Sequence, residues 1–348
     1  MQTFRFTKCA FLAALTVLAG AMPAWADTIG RHHGAPIPGD VVSMSPLEVK
    51  VKQGSTEKSI PVNQIDYIGW NAEPSQLKNI RAKLKAGDYE FVIQTADKIK
   101  PEDLKRKEMQ QDVEFYRALA KARLALAGGG DLREAGQLMK EFVKQNDGSY
   151  HLLQAAETLG DLLVAVGAYD LAAVEYGKLD KTPWPDMKAR AAIAIGRAHL
   201  SQKKYPEALA EFDKVLSVPV TEDSAEVKTQ MQTAQLGKAT CLAATGQFDD
   251  GIKLIESVIA EADPEAADLH AKAYVTLGNC YRQKPGSTKA ALLAFLHVDV
   301  LYSAQAEAHA EALANLRELW NEVGKPDRAQ QAAEMLAERY ANSVWAKK

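Results

Sequence analysis

Two hydrophobic periodicities divide the chain. Near its start, Leu47-Glu-Val-Lys-Val-Lys52 alternates apolar and polar residues with a period of two, the pattern of a half-buried strand. Farther on, Ala172 and Tyr176 stand four apart, as do Ala208 and Phe212, so each pair shares one face of a helix. The helical stretches repeat one phrase. Leu159-Gly160 precedes Gly167, Tyr169, Ala172 and Tyr176; Ile195-Gly196 precedes Tyr205, Ala208 and Phe212; Gly246, Phe248, Gly251 and Ile255 form a third copy. The aromatics Tyr169, Tyr205 and Phe248 lie 36 and 43 residues apart. Repetition on this scale predicts stacked helix pairs, because one hairpin cannot bury its apolar faces alone and its neighbours can cover them.

Each residue of the phrase has a physical task. Gly160 carries no side chain, so a second helix can approach closely; Gly167 ends the first helix by accepting a positive φ; Tyr169 fills the corner. The steps of seven, two, three and four from Gly160 through Gly167, Tyr169 and Ala172 to Tyr176 resemble the tetratricopeptide-repeat family. In that family an aromatic four residues before the glycine packs under the Leu-Gly pair, and Tyr274 before Leu277-Gly278 and Tyr281 fits that pattern, with Lys284–Lys289 as the turn of its copy. Gly87-Asp-Tyr89, Gly130-Asp-Leu132 with Ala135 and Phe142, and Gly324 with Ala329 and Leu336 mark shorter copies. The resemblance implies a mostly α fold, a right-handed α-solenoid of about seven helix hairpins across residues 74–348. Pro183, Pro185, Pro219 and Pro264 fall between copies, where a helix must stop.

Residues 27–73 read as short strands. Gly39 to Pro46 leads to the alternating segment Leu47–Lys52, Gln53-Gly54-Ser55 turns the chain, and Ser59 to Trp70 gives a strand, a single turn at Asn63-Gln64 and a last strand. Asp27–His33 can pair with Ala35–Val41 across Gly34. This order resembles a small SH3-like or Sm-like β-barrel; a looser β-meander is the alternative. Residues 1–26 read as a signal peptide: Arg5 and Lys8, an apolar run from Cys9 to Met22, and Ala24-Trp25-Ala26 as the cleavage site. The run is too short to span a bilayer comfortably. The expected product is an exported, periplasmic or otherwise extracytoplasmic protein with no stable membrane insertion.

Charge narrows the partners. Without Arg5 and Lys8 the chain holds 40 basic and 45 acidic residues, a net charge of −5, which argues against a nucleic-acid or anionic-membrane binder. Of the three cysteines, Cys9 leaves with the leader, and Cys241 and Cys280 occupy equivalent places in the first helices of neighbouring copies. Export makes a disulfide between them conceivable. Helix axes about 8–10 Å apart favour two small buried thiols instead.

Chemistry is sparse. The histidines are scattered, no His-Glu-x-x-His occurs, and a zinc site needs three or four convergent ligands. No Gly-x-Ser-x-Gly, phosphate-binding loop or dinucleotide fingerprint appears; Gly128-Gly129-Gly130 follows a helix and reads as its stop. No metal, cofactor or catalytic residue is expected, and the protein is not expected to be an enzyme.

The resemblance implies that the concave groove is lined by the first helix of each pair, at fixed offsets from the helix glycine. With Gly160, Gly196 and Gly278 in that role, and Ala239 where no glycine stands, the groove residues become Gln154, Glu157 and Asp161; Arg190, Ile193, Arg197 and Leu200; Thr233, Leu236 and Thr240; and Lys272, Val275, Asn279, Arg282 and Gln283. Its C-terminal half is then basic and partly apolar, with Asn279 at a clamp-like position, although Ile193 and Val275 stand where that pattern calls for lysine. The expected function is an interaction scaffold that holds a protein or peptide, in the sharpest form an acidic or C-terminal segment. The alternative is an accessory protein or enzyme acting on a cell-envelope polymer through the groove. Arg and Lys simply paired with nearby acids are the bland reading. Trp345 and Tyr340, if exposed together at the solenoid's end, would favour a homo-oligomer through that end.

Overall fold

The computed structural model describes residues 26–218 and 225–347. The signal peptide expected over residues 1–26 lies, but for Ala26, outside those described. The chain opens with six strands: β1 Thr28–Arg31, β2 Ile37–Pro38, β3 Asp40–Met44, β4 Glu48–Gln53, β5 Thr56–Pro61 and β6 Ile65–Gly69, with a single 3₁₀ turn at Val62–Gln64 before the last. They form two antiparallel three-stranded sheets, β2-β1-β6 and β3-β4-β5, a small meander in the predicted order. Thr28 pairs with Pro38 and Ile29 with Ile37, which is the expected return across Gly34. Buried Val49 and Val51 on β4 alternate with Glu48, Lys50 and Lys52, so the period of two is the inward–outward alternation of that strand.

Fourteen helices follow among the described residues, in seven antiparallel pairs: α1 Ser75–Lys85 with α2 Tyr89–Ala96, α3 Lys107–Leu126 with α4 Leu132–Gln145, α5 Leu152–Ala165 with α6 Tyr169–Asp180, and α7 Pro185–Ser201 with α8 Tyr205–Leu216. Then come α9 Ala225–Ala244 with α10 Phe248–Glu261, α11 Ala267–Gln283 with α12 Thr288–Leu301, and α13 Ala306–Glu322 with α14 Pro326–Tyr340. The expected solenoid preceded by a β-meander is the fold. Asp88 and Asp131 begin α2 and α4 by accepting backbone N–H bonds, from Phe91 and from Arg133 and Glu134.

The repeated glycines mark close approaches between helices. A Cβ on Gly160 would lie 2.3 Å from the Tyr176 ring, one on Gly196 2.8 Å from Phe212, and one on Gly278 2.6 Å from Phe295. In the copy with Cys241 the close approach is at Gly237, 2.4 Å from Phe212, and not at Ala239. At Gly278 the partner is Phe295 of the second helix, whereas Tyr274 stacks on His297 with ring centres 4.6 Å apart. Phe295 is thus the nearest neighbour of this glycine, while Tyr274 packs against the cluster that holds Leu277. Tyr169, Tyr205 and Phe248 each start a second helix, half-buried in the corner.

The turn before α6 sets Gly167 at φ 78°, and the turn before α10 sets Gly246 at φ 86°. The matching turn before α8 places Lys203 in the same left-handed region, at φ 58°. A Cβ is strained there. Lys203→Gly is therefore expected to raise stability by about 0.5–1 kcal/mol, the relief outweighing glycine's extra freedom in the unfolded chain. A shifted urea midpoint with unchanged slope is the check.

The meander and the first helix pairs share one core, from Ile29, Ile60 and Ile68 through Trp70 and Leu77 to Phe115 and Leu162. Cys241 and Cys280 are buried free thiols, with burial pushing them up to about 11 and about 12. They are packing groups and not nucleophiles. No helix among the described residues is long and apolar enough to cross a membrane.

Candidate functional site

The β-meander is joined to the solenoid through a buried polar knot. Asp112, in the second turn of α3, accepts the Trp70 indole N–H at 2.8 Å and the Tyr150 hydroxyl at 3.3 Å, and meets His151 Nε2 at 3.0 Å. Asp112 and His151 are both buried. Arg106 covers the other face of Trp70, 4.6 Å from its ring, and reaches the buried Asp27 carboxylate at 2.8 Å. A second tie runs from Asn63 to Asp186 at the start of α7, 3.1 Å away. The meander therefore touches the first, second and fourth helix pairs.

Burial holds His151 below the ordinary histidine range, against the pull of Asp112. Between that lowered native value and about 6.5 the unfolded chain binds more protons than the native one, so stability rises with pH across this window. Unfolding midpoints are expected to fall as pH drops below about 6.5. His151→Gln, which keeps a donor toward Asp112 and cannot titrate, should flatten the trend. An equally steep trend in that variant would contradict this reading.

The groove residues from the first two complete copies converge. Glu157, Asp161, Arg190, Ile193 and Arg197 line one cavity of 1110 Å³ on the inner side of α5 and α7, together with Thr233 of α9 and Arg123 of α3. Arg190 is held by both carboxylate oxygens of Glu157, through Nε at 3.1 Å and through Nη2. The Tyr176 hydroxyl donates to Asp161 at 2.9 Å. Burial pushes the Asp161 carboxyl up, the Tyr176 bond and nearby Arg123 and Arg197 opposing it. Arg197 is exposed and makes no ion pair among the described residues. Gln154 lines a neighbouring cavity, and Leu200 packs half-buried against the α7–α8 core.

The far wall of the 1110 Å³ cavity was not foreseen. It is the C-terminal segment, Arg339 to Trp345, together with Ala306 and Ala310 of α13. Asn342 lies so close to Gly128 that a Cβ there would come within 1.8 Å of its carbonyl oxygen, and Lys347 Nζ donates to the Gly128 carbonyl at 3.2 Å. The solenoid thus curls until its last turn meets the α3–α4 turn, and the glycine run is both helix stop and docking point. Tyr340 and Trp345 pack against the chain's own core, so this end presents no exposed aromatic pair for a second copy.

The C-terminal half of the predicted groove stays apart from this cavity, and its basic character is largely cancelled. Lys272 pairs with Asp268 at 2.7 Å, Asn279 donates to Glu311 at 2.9 Å, and Arg282 reaches Glu318 at 2.8 Å. Gln283 donates to the carbonyl of Asn279, Thr240 to that of Leu236, and Val275 is buried. Facing helices supply Glu311 and Glu318, which a frame built on one helix at a time does not see. Among the described residues no group of three or more His, Cys, Asp or Glu is placed to hold a metal ion.

No protein-family model and no curated protein matches the sequence. Solved structures match the fold. A tetratricopeptide-repeat protein from Parabacteroides merdae aligns over 78% of this chain and 96% of its own, with 16% identity and a TM-score of 0.53. The apo form of RapI aligns over 77% of this chain and 97% of its own, at 13% identity and TM-score 0.56. A Rap protein complexed with competence and sporulation factor covers 78% of this chain and 76% of its own, at 15% identity and TM-score 0.51. At these identities the likeness is one of fold.

Proposed function

We propose that the protein is an exported interaction scaffold, without catalysis, that holds a protein or peptide segment in its concave groove. The observation that carries this reading is the 1110 Å³ cavity between the inner helices and the C-terminal segment, lined by exposed Arg123 and Arg197 beside the Glu157–Arg190 pair. Such a trough suits an extended chain; exposed Arg123 and Arg197 on its inner wall favour an acidic or C-terminal segment there, while exposed Glu307 and Glu338 on the far wall oppose it. A protein of similar fold has been solved complexed with competence and sporulation factor, which agrees with a segment-binding role. The leader read from residues 1–26 would place that role outside the cytoplasm.

Arg190→Glu with Arg197→Glu is expected to lower capture of the partner by at least about tenfold, as two reversed charges face an acidic segment. Capture from an envelope fraction, scored by mass spectrometry against a mock bait, measures it, with far-ultraviolet circular dichroism confirming unchanged helicity. Undiminished capture would remove this groove from consideration.

A further inference from the structure

A second cavity, of 710 Å³, lies under the β-meander, between β6, the inner faces of α1 and α3, and Gln154 of α5. Lys78, Arg81 and Lys85 project from one face of α1, three and seven residues apart, and Arg123 stands opposite on α3. Only two carboxylates line it, and both are engaged. Glu73 accepts the Trp70 backbone N–H at 3.1 Å with one oxygen and Arg81 Nη2 with the other. Asp66 stands 3.8 Å from His32 and 4.0 Å from Lys85. Lys78 and Arg123 are exposed and make no ion pair among the described residues. The Arg81 guanidinium lies 5.3 Å over the Tyr67 ring, and its Nη1 is buried without a hydrogen-bond partner. Tyr67, Tyr89 and Leu119 supply flat, apolar walls.

A surplus of cations with unused donors, in a cleft whose acids are already satisfied, recognises an oxyanion. We propose that this chamber, which adjoins the groove and shares Arg123 with it, is an oxyanion-binding site for a carboxylate or phosphate group borne on an apolar or aromatic body. Exposed Lys78 and Arg123 attract the charge and donate to it, Arg81 adds its fixed charge from the chamber wall, and the tyrosines pack the body. Arg123 lines both cavities, whereas Lys78 and Arg81 line the chamber alone, so the two readings fail separately: absent anion binding with intact partner capture defeats this inference alone, and the reverse defeats the groove alone.

Trp70 borders the chamber, so its indole N–H resonance reports on occupancy. The purified protein is titrated with inorganic phosphate, with acetyl-phenylalanine and with acetyl-phenylalanine amide. A saturable shift of the Trp70 signal with phosphate alone assigns a phosphorylated ligand. A shift with acetyl-phenylalanine and none with its amide assigns a carboxylate. In either case Lys78→Ala with Arg123→Ala, both exposed positions, is expected to weaken binding at least about tenfold without moving the melting temperature. Equal binding of the acid and its amide without a phosphate response, no saturable shift with any probe, or undiminished binding in the double variant would overturn the proposal.

Discussion

Asp112→Ala is expected to destabilise the protein by about 3–5 kcal/mol, the range for removing one partner from a buried polar network. The cost has a definite origin. The Trp70 indole N–H, the Tyr150 hydroxyl and the His151 ring lose their common acceptor at once, in an interior that water does not reach. Asp112→Asn keeps one acceptor oxygen and a similar volume, so its loss should be smaller. Because Trp70 belongs to the meander and Asp112 to α3, the deficit should loosen the meander from the solenoid. Urea unfolding followed by tryptophan fluorescence and by circular dichroism tests this: separated transitions in the alanine variant, coincident ones in the parent. A loss below about 1 kcal/mol would mean that the knot is not what joins the two parts.

Phe212→Ala is expected to cost about 3–5 kcal/mol, the usual range for a fully buried phenylalanine. This ring lies on Gly196 of α7 and on Gly237 of α9, so its removal opens the seam inside one helix pair and the seam to the next. A solenoid's cooperativity depends on such interfaces between neighbouring units. Both a lower midpoint and a shallower transition are expected in chemical unfolding. The opposite change, Gly237→Val, drives a branched side chain into the same ring and should also destabilise. Tolerance of both would show that the aromatic-on-glycine contact does not hold the repeats together.

Where residues act locally, the sequence is a good guide. The stops at Gly167 and Gly246, the second-helix starts at Tyr169, Tyr205 and Phe248, and the strand alternation at Val49 and Val51 all follow from spacing alone. The failures are displacements of a correct rule. The turn before α12 is one residue longer than those before α6 and α8, so Phe295 falls outside the frame that finds Tyr176 and Phe212. Gly237 works two residues from where the frame seeks it, and Lys203 occupies a glycine's conformation. What the sequence does not show is assembly over distance. Trp70 meets Asp112 across 42 residues, Asn63 meets Asp186 across 123, and Lys347 meets Gly128 across 219. Asp112 could have been suspected, since a charge between Met109 and Val113 on a buried helix face calls for partners. The chamber cations Lys78, Arg81 and Arg123 lie in copies without a Leu-Gly pair, so no lining positions were assigned there.

A photo-cross-linking side chain placed at Thr233, inside the cavity, and separately at Lys253, on α10 outside it, compares the two faces in the cell directly. If the groove holds the partner, irradiation yields one adduct at Thr233 that disappears when Arg190 and Arg197 are reversed, and none at Lys253. Adducts at Lys253 alone, or at both positions and indifferent to the charge reversal, would contradict a concave binding site.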